Sequence, residues 1–408
     1  MLLLAVLTVG NLACTHATVT RHNSTPQNTA QSDSDNTANQ AQPGDVKIDA
    51  YVDKHSATAF GTISEAMAAA PSNSPTPFII AIAPGDYYEK ITITKANITL
   101  AGSGADNTRL HYDAYSGAPR PNTNANTNTN PHKTWGTSGS ATLTIQAGGF
   151  TAQDITIANS FDYPANEQLP EQHPDKKHQV QAVAVLTDIG ADQTLFDRVR
   201  ITGYQDTLYL KRGRSLLRNS FVSGHVDFIF GGGQGLFWQT TIETRARLTA
   251  EGTSKPAPIG YVTAPSTQIS QPYGLVFNQC KFTKEPGVAN QSMALGRPWH
   301  PTTTFADGRY ADPNAIGQTV ILNTWMDAHI AQRAWYPMGG TAPNGKKMQF
   351  MPEDARFFEY NNHGPGAPHT NNKSRRQLNA QQAADFTAAN VLNRWWPNPT
   401  PRYYPSPE

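Results

Sequence analysis

The chain has 408 residues, with 32 Lys and Arg against 31 Asp and Glu, a formal net charge of +1. Charged residues make up only 15%, against the roughly 25% of an average soluble protein, and the polar balance leaves no basic excess for nucleic-acid binding. The roughly 18-residue apolar run that a membrane-spanning helix needs is absent, and the length leaves room for one large repetitive domain or two ordinary ones.

The first element is MLLLAVLTVGNLAC, residues 1–14, an apolar stretch ending in small residues and Cys14. It reads as a lipoprotein signal in which Cys14 becomes the lipidated N-terminus, or as a plain cleaved secretory signal. Both readings export the chain, to the outer membrane of a Gram-negative bacterium or to the periplasm or medium. Cys14 and Cys280 are too few and too far apart for a disulfide scaffold. Residues 15–45 are poor in large apolar side chains and are expected to form a flexible polar tether ahead of a folded domain at 46–400.

Within that domain TISEAMAAA at 62–70 predicts a helix behind a Thr62 cap, stopped by Pro71. Short β-rich pieces follow: FIIAIAP, KITIT, NITLAGSG, ATLTIQAGG, DITIANS and QAVAVLTD. The polar insert PRPNTNANTNTNP at 119–131 reads as an exposed loop, and NAQQAADFTAANVL from Asn379 as a short helix before a Pro- and aromatic-rich tail. No helical periods intervene that could serve repeated β-α-β crossovers.

The centre repeats itself. TLFDRVRITGYQDTL at 194–208 aligns with SLLRNSFVSGHVDFI at 215–229, GLFWQTTIET at 235–244 follows, and GLVFNQCKFT at 274–283 is a looser fourth copy. A period near 20 residues with β-branched units and Gly turns predicts an all-β, right-handed parallel β-helix with short N- and C-terminal capping helices. The alternative is chance similarity among β-hairpins. GGGQG at 231–235 opens onto another β-rich unit and reads as a coil turn, not a phosphate loop.

The repeat aligns Asp206 with Asp227. On adjacent coils, about 4.8 Å apart, two carboxyl groups would face each other across one ladder step. Mutual repulsion then favours one ionised and one protonated acid, a nucleophile or base beside a proton donor. The structural alternative is a ladder of turn aspartates bonded to their own backbone. Asp227 lies in the apolar run VDFIFGGG, which does not look like a solvated turn.

These residues resemble a family, the pectin methylesterases. Its motifs occur in order as GDYYEK at 85–90, QAVAV at 181–185, GYQDTL at 203–208, DFIFG at 227–231 and LGRPW at 295–299, with EYNNHGPGA at 359–367 as a sixth. The likeness is greatest to bacterial members, including lipid-anchored ones. The resemblance implies an esterase that demethylates galacturonan methyl esters and releases methanol, as a monomer acting on pectin or pectic oligosaccharides without metal or cofactor. It implies Asp227 as nucleophile, Asp206 as acid and then base, Arg297 as the partner that keeps Asp227 ionised, and Gln181 and Gln205 as donors to the oxyanion. Gln205 could equally be a buried ladder amide. Trp299 would contact sugar, Phe230 and Tyr209 would line adjacent subsites or pack in the core, and Thr302 and Met338 would lie further out.

Three further readings go with it. Tyr87 and Glu89 support an early coil. Lys211, Arg212 and Arg214 steer an anionic polymer or, more simply, form a solvated turn. His225, where smaller or hydroxyl residues are common in the family, either tunes the site or, as the simpler reading, sits at a solvent-edge turn. A β-helix lyase or glycosidase and a binding relative that acts on another acyl ester, or on none, are the competing functions. A lyase would call for a cluster of metal-binding acids, and an inverting glycosidase for carboxylates about 6.5–9.5 Å apart.

Overall fold

A computed structural model describes residues 47–121, 134–249, 251–369 and 372–403. The signal segment with Cys14, the tether and most of the 119–131 insert lie outside the described residues.

A strand of three to six residues with one apolar row cannot bury that row alone; it does so when the next coil covers it. The chain therefore winds. From Leu208–Leu210 it passes to Arg214–Arg218, then to Phe221–Gly224, and returns to the first wall as Val226–Gly231. Stacked circuits build three parallel sheets of ten, eight and seven strands among the described residues, which together make a parallel β-helix. Leu208 pairs with Ile229 and Thr194 with Ser215, so the 21-residue shift read from the sequence is one turn of the coil. Ser215 pairs with Gly235 and Gly235 with Leu275, so the fourth copy starts one residue later than its quoted stretch.

The core is a set of ladders. Phe196, Leu217, Phe237, Phe277 and Ile321 stand one above another, all completely buried. Corners between the ten- and eight-stranded sheets are turned by single residues with φ between 50 and 58°: Asp154, Arg198, Asn219, Gln239, Gln279, Asn323 and Asn361. Most are Asn, Asp or Gln. Asn and Asp are the non-glycine types that enter the left-handed region most readily. The side chains bond up the stack, as where Gln239 donates to Gln279 and Asn361 to Asn323.

The ends follow local signals. Helix Ile63–Ala69 starts at Thr62 through a capping box with Glu65. Glu89 accepts hydrogen bonds from the Ile63 and Ser64 N–H groups, both at 2.9 Å, and the buried Tyr87 hydroxyl donates to the Ala83 carbonyl. These two motif residues therefore support the first coils, as expected. After Asn379 the expected helix is broken into Ala380–Ala383, a 3-10 turn Ala384–Phe386 and Ala388–Val391. Thr387 takes an extended backbone and its hydroxyl accepts from the Asn390 N–H, capping the last piece and interrupting the helix. Val391 and Leu392 pack on the outer face of the ten-stranded sheet against Leu195, Leu216 and Leu236.

Where the apolar ladder ends, Glu359 pairs in register with Ile321 and has no exposed surface. Arg375 meets it with two hydrogen bonds of 2.7 and 2.6 Å and also donates to the Gly366 carbonyl. Both partners come from the polar C-terminal stretch that begins with the sixth motif, which thus has a structural task. Arg375→Leu should leave a buried carboxylate uncompensated and cost about 3–5 kcal/mol. Adding Glu359→Leu should recover most of that loss. Urea denaturation of both variants checks this, and a wild-type midpoint for Arg375→Leu contradicts it.

Candidate active site

The seven-stranded wall carries the site. Its outward row runs Leu186, Tyr209, Phe230 and Ala264 on successive coils. Asp206 and Asp227 sit just before that row, at the corners where the chain enters this wall, with φ of 64 and 50°. The corner at Asp227 coincides with a bulge: Val226 pairs with Tyr261 but Ile229 with Thr263, so Asp227 and Phe228 together oppose one residue. A bulge re-aims a side chain that a regular strand would point elsewhere. The corner also needs glycine at 224, because a Cβ there would fall 2.3 Å from that of Phe228.

A cavity of about 390 Å³ opens over this row. Its lining includes Gln181, Gln205, Asp206, Asp227, Arg297 and Trp299. The structure thus assembles the five residues assigned to chemistry, drawn from 117 positions of sequence, in one cleft. Met338 reaches the lining from the hairpin Met338–Thr341 with Lys347–Phe350. Thr302 does not; it is exposed on the hairpin Thr302–Phe305 with Gly308–Ala311, outside the lining. Thr137 and Ser138, beside the polar insert, line the cavity without any signal in the sequence.

Arg297 closes on Asp227 as a fork, Nε to Oδ1 at 2.9 Å and an Nη to Oδ2 at 2.5 Å. This two-point geometry matches a carboxylate and is stronger than a single neutral hydrogen bond. Gly296 permits it, since a Cβ there would lie 2.2 Å from the Thr263 hydroxyl. Both acids are almost fully buried, Asp206 at 8% and Asp227 at 7% exposure. Burial raises the pKa of each. The two then diverge. Asp206 is pushed further, well above the ordinary carboxyl range, by the charge of Asp227. At Asp227 the hydrogen bonds and charge of Arg297 pull the other way. Asp206 is therefore the harder of the two to ionise, and Asp227 the one whose charge Arg297 favours.

Gln181 has a buried Oε1 that meets no donor, whereas a ladder amide would be satisfied within the stack. Gln205 accepts from the Ala182 N–H through its backbone and turns its side chain to the cavity. Tyr209 and Phe230 stack at 4.1 Å, and Trp299 packs on both at 6.0 and 5.6 Å. The aromatic residues are at once core and cavity wall.

Two expectations change or sharpen. His225 is not at a solvent edge: it has no exposed surface, its Nδ1 accepts from the Val226 N–H at 2.7 Å, and its ring packs on Tyr163 and Tyr204. The cause is helix Tyr163–Gln168, which covers a corner that the repeat alone would leave open. Burial depresses its basicity well below the usual histidine range, so the ring is neutral. Lys211 and Arg214 are committed to Asp188 and Asp192 as half-buried ion pairs. Sequence reasoning missed Tyr261, whose ring lies under Arg297 at 4.0 Å; the long loop after residue 244 hides its place in the repeat.

A family model described as Pectinesterase matches residues 49–394. The chain is similar to Pectinesterase A of Dickeya dadantii (strain 3937), 44% identical over 339 residues, or 83% of this chain and 88% of that relative. It also resembles two solved structures. One is a pectin methylesterase in complex with hexasaccharide VII, 44% identical, TM-score 0.80, covering 87% of this chain and 100% of the other. The second is pectin methylesterase from Yersinia enterocolitica, 44% identical, TM-score 0.76, covering 82% and 99%. The chain belongs to the pectinesterase family.

Proposed function

We propose that this chain hydrolyses the methyl esters of galacturonan in pectin through an aspartyl acyl-enzyme. The observation that carries the reading is the pair of buried acids on adjacent coils, with one of them forked by Arg297. A carboxylate without its hydration shell and fixed in orientation is a competent nucleophile. Asp227 attacks the C6 carbonyl carbon, and the carbonyl electrons move to oxygen. The amides of Gln181 and Gln205 donate to that oxyanion. As the carbonyl re-forms, the C–O bond to the methoxy group breaks, and Asp206 gives its proton to the departing methanol. Asp206, now ionised, takes a proton from water, whose oxygen attacks the acyl carbon. Collapse returns Asp227 as a carboxylate and frees the galacturonate.

The substrate reading extends along the cleft. Tyr209, Phe230 and Trp299 offer ring faces to the apolar faces of a sugar and to the ester methyl, and Met338 adds an adaptable apolar contact. Thr302 lies on an exposed hairpin outside the cavity, and this reading gives it contact with the polymer further along the chain. The chain works as an exported monomer held at the outer membrane by a lipid on Cys14, a reading that rests on residues 1–14.

Methanol release from methylated pectin with unchanged chain length tests the reaction, and separates it from lyase or glycosidase cleavage. Asp227→Ala should abolish release while circular dichroism stays native; retained activity, or shortened polymer with wild type, contradicts the reading. Because burial raises Asp227, the acid limb of kcat/KM should fall above the free-carboxylate value of about 3.9.

Asp206→Asn should lower kcat by about 10²–10⁴-fold, the usual contribution of a positioned proton donor. Its stability should move the other way. The native state holds the Asp206 proton at pH values where the unfolded chain, with a pKa of about 3.9, has lost it. Wild-type stability therefore falls as pH rises through that window. The variant escapes this loss, so its Tm should exceed wild type at neutral pH and converge with it below about pH 4. A Tm difference independent of pH contradicts the shift.

A further inference from the structure

Arg297 enters the site from the end of strand Met293–Gly296, on a flexible stem that has considerable rotamer freedom to lose. Two hydrogen bonds fix its edge on Asp227. Its face is fixed by something else. The Tyr261 ring lies against the guanidinium plane, 4.0 Å from the central carbon to the ring centroid.

Tyr261 is itself held from several sides. Its strand, Gly260–Pro265, pairs it with Val226 on one coil and Ala294 on the other, next to the bulge that turns Asp227 outward. Its backbone N–H donates to the His225 carbonyl at 2.9 Å. Behind it Tyr336 meets its ring at 5.9 Å, nearly perpendicular, and Arg333 covers Tyr336 at 4.4 Å. The Tyr336 N–H donates to the Gly296 carbonyl, so this support is tied to the residue next to Arg297.

We propose that Tyr261 is a positioning residue for the reaction, whose π face holds the Arg297 guanidinium so that both N–H donors stay on Asp227. The inference rests on the assignment of Asp227 and Arg297 given above. An aromatic face suits the task because it attracts the cation without competing for the edge N–H groups. A carboxylate in its place would draw those donors away and add a negative charge beside the nucleophile. The titratable and charged groups around Asp227 are Arg297, Asp206, Tyr209 and Tyr261, with His225 buried behind it and Arg245, Arg247 and Lys255 beyond.

The test is a substitution series assayed for methanol release across pH. Tyr261→Phe should keep kcat within about twofold, since the face is retained. Replacing Tyr261 by mono-, di- and trifluorophenylalanine weakens the ring's attraction for cations at nearly constant shape. kcat should fall stepwise, to about a tenth for the trifluoro ring, with KM unchanged and the acid limb of kcat/KM moving to higher pH. Tyr261→Leu should behave like the trifluoro variant, and thermal melts show whether it is folded. Equal kcat and an unmoved acid limb through the fluorinated series would overturn the proposal, as would a Tyr261→Phe variant as impaired as the trifluoro one. Arg297→Ala separates the levels: if it is inactive while the fluorinated series is flat, only the role of Tyr261 fails. If Arg297→Ala is as active as wild type, the reading of the site fails with it.

Discussion

The contact on which the site depends is the fork from Arg297 to Asp227. A carboxylate taken out of water would otherwise neutralise itself by taking a proton. Asp206, one coil away in the same corner, has no such fork, and the charge of Asp227 raises it further. One cation on one side of a pair of acids is enough to separate how readily they ionise. The asymmetry is geometric: Arg297 enters from the far end of the wall, beyond Asp227, and not between the two acids.

The β-helix supplies that geometry cheaply in sequence. A repeated circuit delivers two equivalent corners, and the left-handed backbone at each is one that aspartate tolerates. The structural alternative for the two residues, turn aspartates in a ladder, is therefore half correct. They are corner residues. Their burial, the bulge at Asp227 and the approach of Arg297 set them apart from the solvated corner residues such as Gln239 and Asn361.

What could be read from the sequence was what repeats or carries a local signal. The coil period placed Asp206 and Asp227 together, the cap at Thr62 appeared at the stated position, and a helical turn begins after Asn379. Arg297 and the two glutamines came from motif resemblance, because their approach crosses loops that no period governs. His225 was misjudged for the same reason: the helix that buries it arises from an excursion at 163–168, outside the repeat. Tyr261 lies past a loop that breaks the period, and Thr137 and Ser138 lie beside an insert with no pattern. The bulge was invisible, since one extra residue in a strand looks like ordinary variation in spacing.

The division of charge between the two acids is the central claim, and carboxyl carbon NMR measures it directly. With aspartate labelled at Cγ, and Asp206→Asn and Asp227→Asn used to assign the resonances, the signals are followed against pH. The account predicts that Asp206 stays protonated over a pH range in which Asp227 is ionised, and that Asp227→Asn lowers the Asp206 midpoint by removing the neighbouring charge. Both carboxyl groups ionising together near the ordinary value of about 3.9, or Asp206 losing its proton first, would contradict it.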